Sequence, residues 1–156
     1  MVQDISDRPN NKRLGTKEQI GIMQLSEQIR AFLEEPRFAV IATINPDGMP
    51  QQSVIWYQLQ GDEILMNTAA GRIKTRNLER DPRISFCIED EYRYLTITGT
   101  ATLIDEQATA QADSALLSYR YLPKEPAESW IARFQKQQRI SVRMTIDTVV
   151  TYGFEQ

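Results

Sequence analysis

Arg72, Lys74 and Arg76 recur at every second position of the run Gly71-Arg-Ile-Lys-Thr-Arg-Asn-Leu78. If a helix starts near Arg72, these three cations crowd its first turn and a half. The backbone dipole makes that end positive, so each cation there costs roughly 0.3–1 kcal/mol. A bound anion would reverse the sign of that cost. A phosphate could accept from the free N–H groups of the helix start and from the Thr75 hydroxyl, and meet the charges of Arg72 and Lys74. The competing reading is a solvated helix whose cations pair with Glu79, Asp81 or a nearby acidic loop. Spacing alone leaves that second reading slightly ahead.

The run Gln52-Ser53-Val54-Ile55-Trp56-Tyr57 alternates polar and apolar groups on what reads as a strand. Ser53 could hydrogen-bond the edge of a heteroaromatic ring, and Trp56 could wall a planar ligand. The simpler account makes Trp56 core or subunit interface and Ser53 an ordinary strand residue. A meander links the two regions, because this strand pairs with the next, which feeds into Gly71. Met66, Asn67 and Thr68 would then lie beside the same anion. Glu89-Asp90-Glu91 reads as a solvated loop, since paired-carboxylate chemistry needs buried, convergent groups. Tyr92 and Tyr94 read as packing, and Cys87 as a buried strand thiol without assigned reactivity.

The chain has 156 residues, 41% of them hydrophobic and 25% charged, with 18 cations against 21 anions. That is one domain with a substantial core, and the net charge of −3 speaks against nucleic-acid binding. There is no histidine and one cysteine. Histidine-based triads, His-bearing zinc sites, disulfides within the chain and Cys-only clusters are all excluded, so no metal is expected. No apolar run reaches membrane-spanning length and the start is unlike a signal peptide, so a cytoplasmic protein away from membranes is expected. Any chemistry must come from a cofactor or from carboxylate, Lys, Tyr or Thr groups.

The elements that would position these residues follow from periodicity. Residues 1–20 read as a flexible arm and 21–156 as the folded domain. Thr16 and Gln19 form a possible capping box for a helix carrying Ile22, Leu25, Ile29, Phe32 and Leu33 and ended by Pro36. A strand over 38–44 leads through an Asn45-Pro-Asp-Gly48 type I turn into one over 51–59, which turns at Gly61-Asp62 into 63–68. A short helix with Ile73 and Leu78 is closed by Asp81-Pro82. Strands over 84–88 and 95–103 follow, the latter alternating a buried face with a threonine ladder. Asp105 caps a helix with Ala108, Ala112, Ala115, Leu116 and Tyr119 on one face. A proline-marked linker over 122–126 leads to a helix with Trp130, Ile131 and Phe134. The last strand carries Ile140, Val142, Met144 and Ile146 on one face. Six strands with few helices predict a mainly β (α+β) fold, an antiparallel sheet closing or nearly closing into a small barrel with peripheral helices.

Four segments carry a family resemblance: F-A-V-I-A-T-I-N-P-D-G-M-P-Q-Q-S-V-I-W-Y, D-E-I-L-M-N-T, R-I-K-T-R-N-L-E-R-D-P-R-I-S-F and T-I-T-G-T-A-T-L-I. Over Phe38 to Leu103 the chain resembles the flavin/deazaflavin oxidoreductase split barrels, relatives of pyridoxamine 5′-phosphate oxidase, and 147–154 loosely echoes their closing pattern. It is most similar to the branch that uses the deazaflavin coenzyme F420. The resemblance implies a six-stranded FMN-binding type split barrel and a homodimer with two cofactor sites at the subunit interface. The family's phosphate contacts fall on Arg72, Lys74 and Thr75, with Ile73 in the same run. Its ring and ribityl contacts fall near Gln52, Ser53, Val54, Ile55 and Trp56, with Met66, Asn67 and Thr68 beside the tail. The implied activity is hydride transfer between F420 and a small electron-poor organic acceptor, with no catalytic side chain singled out. FMN in place of F420, or a non-catalytic carrier dimer, are the alternatives. The additional basic residues with which pyridoxamine phosphate oxidases hold substrate phosphate have no counterpart in 140–156, which speaks against vitamin B6 oxidation. Haem-handling split barrels generally use histidine, and this chain has none.

Overall fold

The computed structural model describes residues 24–154. The Thr16–Gln19 capping box, Ile22 and the 1–20 arm lie outside these residues. Helix α1 (Glu27–Glu34) is instead capped by Ser26, whose Oγ accepts from the Ile29 N–H at 3.3 Å. It ends where Glu35, the residue before Pro36, turns extended. Ile29, Phe32 and Leu33 are buried on its inner face.

Among the described residues eight strands follow, two more than the six expected. They are β1 (Ala39–Ile44), β2 (Pro50–Ile55), β3 (Tyr57–Gln60), β4 (Glu63–Ala69), β5 (Arg83–Asp90), β6 (Arg93–Ile104), β7 (Arg139–Thr145) and β8 (Thr148–Tyr152). One extra strand arises because the single strand expected over 51–59 breaks at Trp56. β2 pairs with β1, Ala39 opposite Ile55, whereas β3 pairs with β4, Tyr57 opposite Met66. The expected pairing of second and third strands thus holds for only half the run. The other extra strand is β8, which lies on the first half of β6.

The order is β2-β1-β5-β6-β7-β4-β3, all antiparallel, with β8 added on β6. The two ends of this path, β2 and β3, are consecutive in the chain. The barrel is therefore closed by one covalent step at Trp56 and not by a hydrogen-bonded ladder, which is what makes it a split barrel. Tyr57, Ile64, Met66, Phe86, Leu95, Ile97, Val142 and Met144 fill its interior. The Asn45–Gly48 turn forms as read, with the Gly48 N–H on the Asn45 carbonyl at 2.8 Å and Gly48 at a φ of +86°. The threonine ladder of β6 also forms, with Leu95, Ile97, Gly99 and Ala101 buried on the other face and Leu103 half-buried. Cys87 is half-buried, less enclosed than expected, because it lies on the β5 face opposite to Phe86 and Ile88.

Three helices decorate the barrel. α2 (Ile73–Arg80) follows β4 directly and is tied to the β1–β2 hairpin by Asn77, whose Nδ2 donates to Thr43 Oγ1 and Asn45 Oδ1 at 3.0 and 2.9 Å. α3 (Gln107–Tyr121) is capped by Glu106, not Asp105; its carboxylate accepts from the Ala108 and Thr109 N–H groups. Its buried face is also not the expected one. Ala110, Ser114, Leu117 and Ser118 face the β4–β7 sheet while Leu116 and Tyr119 are exposed, because small side chains let the helix lie close. α4 (Lys124–Phe134) begins inside the expected linker, with Pro123 as its N-cap and Pro126 in its first turn, where no N–H is needed. No helix among the described residues is long and apolar enough to cross a membrane.

Candidate functional site

β4 ends at Ala69, and α2 starts four residues later. The antiparallel register places Arg139, the first residue of β7, opposite Ala69. Arg139 therefore stands beside the helix start that carries Arg72 and Lys74. α3 lies across these strands and α4 returns over it. Between them is a cavity of about 360 Å³.

One end of this cavity is cationic. Arg72, Lys74 and Arg139 line it with Asn67 and Thr68. Among the described residues, none of the three cations forms an ion pair with a carboxylate. Burial, then Arg72 and Arg139, holds the Lys74 ammonium below the ordinary lysine range. Burial, then Arg72, pulls the Arg139 guanidinium down to about 10. Like charges crowd without neutralisation.

The other end is aromatic: Phe38, Trp56, Trp130 and Phe134, with Val54, Ile55 and Leu117. Trp56 stacks on Tyr121 at 5.1 Å and 7°, and Trp130 meets it edge-on at 6.0 Å. Tyr121 is itself pinned, its hydroxyl donating to the Arg37 carbonyl at 2.6 Å and accepting from the Tyr57 N–H at 3.1 Å. The indole of Trp56 thus rests on a fixed ring. An apolar planar end and a charged polar end are what a ring joined to a phosphate needs.

A family model described as pyridoxamine 5′-phosphate oxidase matches residues 25–150 of the chain. The chain belongs to the pyridoxamine 5′-phosphate oxidase family. A pyridoxine/pyridoxamine 5′-phosphate oxidase of Vibrio vulnificus is 30% identical over 128 residues, which cover 79% of this chain and 56% of that protein. The chain spans about half the length of the curated relatives it matches. Among solved structures, a conserved hypothetical protein from Mycobacterium tuberculosis superposes with a TM-score of 0.71 at 27% identity, covering 88% of this chain and 89% of its own. An F420 reductase superposes at 0.66 and 24% identity, covering 80% and 98%, a likeness of fold.

Of the positions to which the resemblance assigned cofactor contacts, this family member brings together Val54, Ile55, Trp56, Asn67, Thr68, Arg72 and Lys74 on the cavity wall. Five others lie elsewhere. Met66 is fully buried inside the barrel, on the β4 face opposite to Asn67 and Ala69; Thr68, two residues further along the Met66 face, lies at the end of the strand and does line the cavity. Gln52 is exposed on edge strand β2, and Ser53 turns to the face of β2 shared with Ile55, its Oγ without a partner. Ile73 is exposed beside the helix start, and the buried Thr75 donates its hydroxyl to the Arg72 carbonyl at 2.7 Å. Tyr92 and Tyr94 are away from the cavity, Tyr94 stacking on Tyr152 at 5.5 Å.

Sequence reasoning missed Phe38, Ala69, Ser114, Leu117, Trp130, Phe134 and Arg139 on the wall. Arg139 could have been found by asking which strand pairs with 63–69, since an antiparallel partner there must begin beside Gly71. The aromatic pair Trp130 and Phe134, four apart on a helix, was visible as a face but carried no sign of what it faced.

Proposed function

We propose that this chain is an oxidoreductase that works with a flavin-type cofactor bound in the cavity, F420 in the first reading, and a small electron-poor organic acceptor. The single observation carrying this is the pairing, in one cavity, of three cations that form no ion pair among the described residues with an aromatic wall. Arg72 and Lys74 hold the cofactor's phosphate, Asn67 and Thr68 offer hydrogen bonds beside it, and Trp56 backs the ring. The deazaflavin, when bound, supplies two-electron hydride chemistry. The protein's share is to anchor the anion, orient the ring and keep water from its face. The resemblance of the sequence as a whole to the F420 branch supports the choice of cofactor.

FMN is the second reading. The curated relatives are named oxidases, and reduced flavins pass electrons to dioxygen far more readily than 5-deazaflavins do. A homodimer is part of the proposal. Val40 and Val54 are opposite each other on the outward face of the β1–β2 hairpin, with exposed Phe38 beside them. Phe38 and Val54 also line the cavity, so a second copy docked there would complete its wall.

Side-by-side titration of the purified protein with F420 and FMN tests the cofactor, followed by turnover of the reduced cofactor with a panel of enones, quinones and tetrapyrroles. Binding of one cofactor with acceptor-dependent oxidation is the expected result. Tight binding without turnover by any acceptor would replace the enzyme with a carrier, and no binding would end the cofactor reading.

A further inference from the structure

Arg139 is 6% exposed, yet all of its hydrogen-bond partners are neutral. Nε donates to Asn67 Oδ1 at 2.9 Å and Nη1 to Gln137 Oε1 at 2.6 Å, while the guanidinium lies 4.1 Å above the Phe134 ring. Besides burial, the charge that bears on it, Arg72, carries its own sign. A buried guanidinium placed this way is unfavourable unless something negative joins it.

The groups behind Arg139 fix its aim. Asn67 and Ser141 are register partners on β4 and β7. Ser141 Oγ donates to Asp113 Oδ2 at 2.7 Å, so it must accept from Asn67 Nδ2, at 3.2 Å. The same Nδ2 donates to the Ala110 carbonyl at 2.8 Å. The Asn67 amide is thereby turned with its oxygen towards Arg139, while Asp113, which pairs with Arg143 at 3.5 Å, is separated from the Arg139 guanidinium by two neutral groups. The fold holds this cation in place and leaves its charge available.

A second observation is independent of charge. Ser114 on α3 is 3% exposed, lines the cavity, and its Oγ has no hydrogen-bond partner. Buried hydroxyls are almost always satisfied, so an orphan facing a cavity marks where a ligand atom belongs. Ser114 lies one helical turn after Ala110, at the Asn67 end, and one turn before Leu117 and Ser118, towards Tyr121 and Trp56. It therefore sits between the cationic and aromatic ends.

We propose that Arg139 and Ser114 are ligand-binding residues: Arg139 is the third cation on the ligand's phosphate, and Ser114 hydrogen-bonds the polar chain joining that phosphate to the ring. The proposal rests on reading the cavity as a cofactor site, and the following experiment separates the two.

Wild type, Arg139→Gln, Arg139→Lys and Ser114→Ala are titrated with FMN, F420 and riboflavin, the last carrying the ring and chain without phosphate. Inorganic phosphate is followed separately by the thermal shift it produces. Arg139→Gln is expected to weaken FMN, F420 and inorganic phosphate about 10–100-fold and to leave riboflavin unchanged. Arg139→Lys keeps the charge but loses the fork, so the ratio of FMN to riboflavin affinity should fall by up to about tenfold. This readout serves if the glutamine variant does not fold. Ser114→Ala should weaken riboflavin and FMN alike by about fivefold and leave inorganic phosphate unchanged. Unchanged FMN and F420 affinity in Arg139→Gln, or an unchanged ratio in Arg139→Lys, would overturn the role of Arg139. Unchanged riboflavin affinity in Ser114→Ala would overturn that of Ser114. If no cofactor binds wild type but the phosphate shift still depends on Arg139, the cofactor reading and Ser114 fall while Arg139 stands.

Discussion

Lys74 sits one residue inside α2, whose N-cap is Arg72, and its ammonium has no carboxylate to meet among the described residues. Replacing it with alanine should weaken phosphate-bearing ligands by about 1–3 kcal/mol, read from the same titrations, with riboflavin as the control. A pH series adds a second test. Burial pulls the Arg139 guanidinium down to about 10, well below the usual arginine range, and Lys74 also falls below its usual value. Above about pH 10 the unfolded chain holds more protons at this position than the folded one, so the ligand-free protein gains stability as pH rises there. Anion affinity moves the other way. It should decline as pH climbs towards 10 and the cations discharge, and calorimetry in buffers of different ionisation heat should detect proton uptake on binding. Arg72 and Lys74 were legible in the sequence because a helix start is local. Arg139 and Ser114 were not, since one depends on a strand register 70 residues away and the other on which face a helix turns inward.

At the scale of elements, β6 changes neighbours midway, from β8 to β7, and Gly99 lies at the exchange. A Cβ built there would come 1.9 Å from the Thr145 carbonyl oxygen, a backbone atom that cannot step aside. Gly99→Ala should therefore cost at least about 3 kcal/mol in urea denaturation, or abolish folding. Arg120 joins elements differently. Its guanidinium donates to the carbonyls of Leu33, Glu34 and Tyr57, closing the end of α1 and fastening α3 to β3. Arg120→Ala should cost about 2–3 kcal/mol. Turns and strands with strict alternation were readable from composition because their signals are short-range. The break at Trp56 was hidden because alternation continues through it, and only the choice of partner strand changes. The inner face of α3 was hidden for the opposite reason: its alanines and serines carry little hydropathy, whereas its exposed Leu116 and Tyr119 carry much.

For the whole molecule, the outward face of the β1–β2 hairpin exposes apolar side chains beside the cavity among the described residues. Phe38 is 66% and Val54 65% exposed. If two copies meet there, Val54→Asp should shift the mass seen by light scattering from dimer towards monomer, and cofactor affinity should drop in parallel. A monomer that binds as well as wild type would separate assembly from the site. The barrel itself was foreseeable from strand count and scarcity of helices; the strand order was not, because β8 and the return of β7 onto β4 involve pairings that no local pattern announces. The chain contains two tryptophans, and both Trp56 and Trp130 stand on the cavity wall. Essentially all indole emission of this protein thus originates within contact range of whatever enters. Occupancy can be followed by ultraviolet excitation of the unlabelled molecule: a ring absorbing near 400 or 450 nm would drain that light by energy transfer, making the pocket its own optical gauge.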